Sequence, residues 1–212
     1  TTWTKKGDAF YMRYANSNED IETVYTALSR KKAASTTTSG EDITFAPFTV
    51  KTTFLPKNIL QLTTSDAVAA TPVFYLIKQG NGVLGVVADQ ENKKPKTIFS
   101  SPTSEWLATW PNATIHLTTK PSGTFIGTQF TLNPSSGALT RISGDVFGLT
   151  SVSNAKGDTY VVSGSERNNL GTALFSTKTG SLSAFPAITL AEKCVWGIKN
   201  PITVFNVPPI DE

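Results

Sequence analysis

A run of short strands between Ser151 and Pro208 restarts its own pattern, and this constrains the chain more than anything else in it. The run reads S-V-S-N-A-K-G-D-T-Y-V-V-S-G-S, then L-G-T-A-L-F-S-T-K-T-G-S-L-S-A-F-P, then A-E-K-C-V-W-G-I-K-N-P-I-T-V-F-N-V-P. Each strand alternates or is wholly apolar, and each turn carries Gly, Asn or Asp, which supply the backbone angles that tight turns need. The rest of the chain can be laid over this unit. With the second strand of each unit as the anchor, Tyr11, Tyr75, Ile115, Tyr160 and Val204 fall into line. The steps are roughly 40–45 residues, apart from a longer first one, and four short strands at that period are the mark of β-propeller blades. One such sheet cannot bury both its faces, whereas stacked neighbours bury each other.

The expected architecture is therefore all-β, a β-propeller of about four complete four-stranded blades plus part of a fifth. The blades run approximately over 1–57, 58–101, 102–143, 144–187 and 188–212. The longer first step holds Ser29–Asp42 (S-R-K-K-A-A-S-T-T-T-S-G-E-D), which has no aliphatic residue larger than Ala. Such a segment cannot bury a face, so it reads as a mobile insertion, most of all over Ser29–Gly40. Its basic head, Arg30-Lys31-Lys32, reads as a solvated turn. Within the units, Val73–Lys78 is apolar enough for a sheet centre and Gln79-Gly80-Asn81-Gly82 is a hairpin turn. The fourth strand of the third unit (Ala138–Ile142) and the first of the next (Gly148–Ser153) read as separate. Glu192–Trp196 and Ile202–Val207 read as the first two strands of the fifth unit. Thr1 already lies inside a repeat, so a fragment or processed product with an incomplete ring is expected, with its last unit left open or paired to another chain.

Two turns carry a resemblance. The W-x-K-K-G-D turn at Trp3–Asp8 and the N-A-K-G-D turn at Asn154–Asp158 resemble the W-S-P-D-G-K turn of TolB-type, WD40-like propellers. Asn133–Leu139 and T-K-T-G-S-L at Thr177–Leu182 resemble that family's turn between third and fourth strands. The runs F-S-S-P-T-S-E-W-L (Phe99–Leu107) and L-A-E-K-C-V-W (Leu190–Trp196) are similar to uncharacterised propeller proteins of candidate-phyla, Parcubacteria-like bacteria. The resemblance spans nearly the whole chain and implies a propeller, an extracytoplasmic or cell-envelope location, and a protein or envelope partner. It implies little about activity, because propellers host unrelated functions.

The residues themselves offer no catalytic set, no cofactor loop and no metal cluster. A formal net charge of +3 is too small to argue for nucleic acid or an anionic membrane. There is no apolar run long enough for a membrane helix. The single cysteine, Cys194, excludes an intrachain disulfide and reads as a buried apolar residue on a strand. The single histidine, His116, sits in T-I-H-L-T and cannot build a zinc site alone. Ser29-x-x-Lys32 and Lys178-Thr179-Gly180 match two pieces of the penicillin-binding signature, but the S-D-N piece is missing. Asp145, Asp158, Glu166 and Glu192 are scattered along the chain. Asn112-Ala113-Thr114 has the glycosylation pattern, which matters only in a eukaryotic secretory pathway.

Trp3, Trp110 and Trp196 recur just before the first turn of their units. They are the candidate ligand or interaction residues, although a position that repeats with the fold favours a packing wedge between blades. The functional expectation is a non-enzymatic binding or scaffold propeller for protein–protein or cell-envelope interactions. The alternatives are the accessory propeller of a hydrolase whose catalytic domain lies elsewhere, and a glycan-binding propeller.

Overall fold

The computed structural model describes residues 1–4, 6–30, 48–65, 72–166, 169–197 and 203–204. The described chain is all-β apart from one turn of 3-10 helix. Within each sheet consecutive strands pair antiparallel, as the short turns require. The first sheet holds β1 (Thr2–Trp3), β2 (Ala9–Ala15), β3 (Ile21–Arg30) and β4 (Phe48–Phe54), in that order. The second holds β5 (Ile59–Thr64), β6 (Val73–Gln79), β7 (Gly82–Ala88) and β8 (Lys96–Ser101). A seven-stranded sheet follows: β9 (Trp106–Thr109), β10 (Ile115–Thr119), β11 (Ile126–Leu132), β12 (Leu139–Ser153), β13 (Thr159–Glu166), β14 (Asn169–Ser176) and β15 (Leu182–Ala184). The 3-10 turn Ala191–Lys193 then leads into the ribbon of β16 (Cys194–Val195) and β17 (Thr203–Val204).

The stacking follows from the alternation of side chains along each strand. On β6, Val73 and Tyr75 enter a core shared with Ala9, Tyr11 and Tyr25 of the first sheet. Their neighbours Phe74 and Leu76 point the other way, into a core shared with Ile115, Leu117 and Leu132 of the third. The second sheet is thus buried on both faces, which is why Val73–Leu76 is a continuous apolar run instead of an alternating one. Each such side chain contributes about 2 kcal/mol of burial. Tyrosine hydroxyls at the core rim find partners in the β7–β8 loop: Tyr11 donates to the Gln90 carbonyl at 3.0 Å and Tyr25 to Gln90 Oε1 at 2.8 Å.

Four differences from the sequence reading have physical causes. The fourth strand of the third unit and the first of the next are one strand, β12. Its ladder is interrupted between Phe147 and Thr150, and the one it makes with β11 shifts twice. Asp145 and Gly148 take left-handed φ of 67° and 61° there. These bulges bend the strand, so its halves serve successive four-stranded groups without a chain break. In the fifth unit, Glu192 and Lys193 belong to the 3-10 turn, and the strand begins only at Cys194. β3 continues through Ser29 and Arg30, paired with Thr49 and Phe48, so these two residues of the expected insertion are strand. The remainder of that insertion, and Phe205–Val207, lie outside the described residues.

The fourth difference is one of register. In the first turn Thr4 N donates to Ala9 O at 2.9 Å and Gly7 N to Thr4 O at 2.9 Å. In the later one Asn154 N donates to Thr159 O at 2.9 Å and Gly157 N to Asn154 O at 3.0 Å. The glycines have φ of 67° and 71°. Asp8 accepts from Thr4 Oγ1 at 3.0 Å where Asp158 accepts from Asn154 Nδ2 at 2.7 Å. The two turns are the same device, and they align Phe10, not Tyr11, with Tyr160. Tyr11 points toward the second sheet; Phe10 points away from it.

Candidate binding surface

The fourth group of strands carries a cleft of about 840 Å³. The second half of β12 supplies Val146 and Leu149, β13 supplies Val162 and Gly164, β14 supplies Gly171 and Ala173, and β15 supplies Leu182. Gly164 and Gly171 are directly paired across β13 and β14. They differ in the room around them. A Cβ on Gly164 would lie 2.0 Å from Val146 Cγ1, so glycine there lets β12 approach closely. A Cβ on Gly171 would meet only the Gly164 carbonyl, at 3.9 Å. β15 pairs with β14 only from Ala173 to Phe175, so Asn169–Thr172 continues past its end. Polar groups on the lining are few: the hydroxyls of Ser163, Ser165 and Thr172, the Asn169 amide, and Asp145. Asp145 is ion-paired to Arg141 Nη2 at 2.8 Å. Mostly apolar walls with a few polar groups suit recognition of an apolar segment.

Next to the cleft, the layer between β10 and β13 is polar. His116 is only 3% exposed. Its Nε2 lies 3.2 Å from the Tyr160 hydroxyl and 3.3 Å from Thr114 Oγ1, and its ring is tilted 41° to that of Tyr160. Burial pushes its pKa down from 6.5 to about 4, so it is a neutral imidazole at pH 7. Burial likewise raises the Tyr160 phenol. Thr118 and Ser151 touch through their hydroxyls at 3.4 Å, and Ser163 ties Thr150 (2.6 Å) to the amide of Ala191 (2.9 Å). The His116–Tyr160 and Thr118–Ser151 contacts join the third and fourth groups of strands, and Ser163 ties the fourth group to the 3-10 turn.

The three tryptophans are not brought together. Trp3 is 53% exposed at the edge of the first sheet, its ring 4.9 Å from Phe10. Trp110 is 3% exposed and packs in the core between the second and third sheets. Trp196 is half-buried over the fourth group and donates from Nε1 to the Val152 carbonyl at 3.0 Å. The carboxylates are also apart. Asp158 is held down to about 2 by the Asn154 amide and by Lys178, whose Nζ is 2.9 Å away. Glu192 is exposed, and the Glu166 side chain lies outside the described set. Among the described residues there is no group of three or more His, Cys, Asp or Glu placed to hold a metal ion, and no helix is long and apolar enough to cross a membrane. Cys194 is buried, with its thiol raised by burial. Asn112 is engaged: its Oδ1 accepts from Thr114 N at 2.8 Å and Thr114 Oγ1 at 3.0 Å.

Sequence reasoning did not reach the cleft. Its signal was present in the glycines of S-G-S and L-G-T, which fall at paired positions, but glycine in a strand usually marks only a bulge or close approach.

No family model matches the sequence, and no curated protein matches it either. Among solved structures the chain is similar to TolB from Acinetobacter baumannii, at 11% identity and a TM-score of 0.57, over 86% of this chain and 41% of that one. The fold is a TolB-like β-propeller. An oligogalacturonate lyase in complex with manganese is a looser likeness, at 11% identity and a TM-score of 0.46, over 89% of this chain and 56% of that one. The chain therefore spans well under two thirds of the length of either structure. At such identity the TolB likeness speaks for the fold alone.

Proposed function

We propose that this chain is a non-enzymatic binding propeller and that its partner, a protein or another component of the cell envelope, seats an apolar segment in the β12–β15 cleft. The observation that carries the reading is the cleft itself: its size and its mostly apolar walls. Beyond the end of β15, Asn169–Gly171 of β14 add a place for an extended segment to bind by main-chain hydrogen bonds, with its side chains in the cleft, while Thr172 is held by Thr189 of this chain. On this reading the chain comprises four blades and part of a fifth, with boundaries near those expected from the repeat, in an incomplete ring. The envelope location rests on the TolB-type resemblance, and a candidate-phyla bacterial origin rests on Phe99–Leu107 and Leu190–Trp196. A hydrolase-accessory role would need a catalytic domain beyond this chain. Glycan recognition is expected at Trp3, Trp110 and Trp196 together, and these are not brought together: Trp110 is in the core.

Gly171 provides the test. A photo-crosslinking residue at position 171 should trap a discrete partner in envelope extract of the source cell, and one at the exposed turn residue Ser136 should not. Gly171→Phe, which fills open space, should abolish capture by a crosslinker placed at Leu182. Equal capture at 171 and 136, or undiminished capture by the Gly171→Phe protein, would contradict the proposal.

A further inference from the structure

The first sheet has an apolar face on which no other sheet packs among the described residues. Cross-strand pairing puts Trp3, Phe10 and Thr26 on one side, followed by Met12, Val24 and Phe54, then Leu28 with Val50 and Arg30 with Phe48. Trp3, Met12, Phe48, Val50 and Phe54 are all exposed, Phe54 at 62%. The opposite side, with Ala9, Tyr11, Tyr25 and Ala27, is the one packed on the second sheet. An exposed apolar area of this extent marks an interaction site.

The shared turn geometry says what kind of surface this is. The Thr4–Ala9 and Asn154–Thr159 turns place Phe10 where Tyr160 stands, and Tyr160 faces His116 of the preceding strand group. Tyr75 likewise faces the first sheet and Ile115 the second. In every later group this side of the second strand packs on the group before it. The first sheet therefore presents the receiving half of an interface that the molecule builds three times over. The other end of the series offers the matching half. On β16, Cys194 turns inward against the fourth group while Val195 is exposed, with Ile188 exposed nearby in sequence.

We propose that the open face of the first sheet docks a second copy of this chain, head to tail, with the β16–β17 end of one copy seated on Trp3, Val50 and Phe54 of the next. Such a contact is heterologous, so it continues the stack from copy to copy until the rotation closes a ring or the filament runs on. This surface is distinct from the β12–β15 cleft.

Sedimentation over a wide concentration range tests it, using the 212-residue chain. The wild type should self-associate. Phe54→Asp and Val195→Asp should each weaken association at least about tenfold, because docking would desolvate a carboxylate. Both positions are exposed, so thermal melts should stay unchanged. An equimolar mixture of the two variants keeps one intact pair of faces and should form a dimer and nothing larger. Gly171→Phe should associate like the wild type, which separates this inference from the cleft reading. A wild type that is monomeric throughout, a Phe54→Asp protein that associates normally, or a mixture that stays monomeric would each overturn the proposal.

Discussion

Acidification should destabilise this protein in part through His116. The imidazole is buried on β10, between the Tyr160 hydroxyl and Thr114 Oγ1, and burial alone sets its shift. Its folded pKa is about 4, against an ordinary 6.5, and the cause is burial. Above pH 6.5 both folded and unfolded chains carry the neutral ring, and the site's stability is fully present. As pH falls below 6.5 the unfolded chain takes up the proton first. Stability then drops by about 1.4 kcal/mol per pH unit until the folded state also protonates near pH 4, a total of about 3 kcal/mol. The assay is urea unfolding followed by tryptophan fluorescence from pH 7.5 to 4, on the wild type and on His116→Gln. The variant should be about 1 kcal/mol less stable at pH 7.5, for a perturbed hydrogen bond. It should then lose less stability than the wild type on acidification, so that the two curves converge or cross. Carboxylates such as Glu91 and Asp158 titrate in both proteins and cancel in the difference. Parallel curves for the two proteins over the whole range would refute the reasoning.

Leu76→Ala empties a fully buried position between the second and third sheets and should cost about 2–5 kcal/mol in chemical unfolding; a loss below 1 kcal/mol would mean the interface is not packed as described. Gly157→Ala should cost about 2 kcal/mol or more in a thermal melt, because φ is 71° and the new Cβ would fall 1.9 Å from Asn112 Nδ2. Gly171→Ala, which meets nothing closer than 3.9 Å, should be close to neutral. Cys194 should react with a thiol reagent orders of magnitude more slowly in the folded protein than in urea, since the thiol is buried and its pKa raised; fast labelling of the folded chain would contradict its packing.

The strands that the sequence disclosed most clearly are those where one local signal suffices. Val73–Gln79 announces itself by apolar, β-branched and aromatic content, and the Gly80 turn by a residue that takes a φ of 58° without strain. The repeated N-A-K-G-D and K-K-G-D turns were legible for the same reason, since each is closed by its own short-range hydrogen bonds. What failed needed non-local information. The fusion of two strands into β12 depends on bulges set against β11 and β13. The 3-10 turn at Ala191–Lys193 is held by Ser163, far away in sequence. Tyr11 reads as the anchor of the first unit because a tyrosine satisfies the pattern one residue away from the position that the turn defines. The cleft was illegible because paired glycines separated by a hairpin become a floor only once the strands are in register.

Both proposals rest on the stacking of sheets face to face, and amide hydrogen exchange tests that stacking most directly. Amides of Val73–Ile77 and Val83–Ala88, buried on both faces, should exchange most slowly and only with global unfolding. Those of Phe48–Phe54, on the exposed edge strand, should exchange orders of magnitude faster. Equal protection of β4 and β6, or faster exchange in β6, would contradict the account.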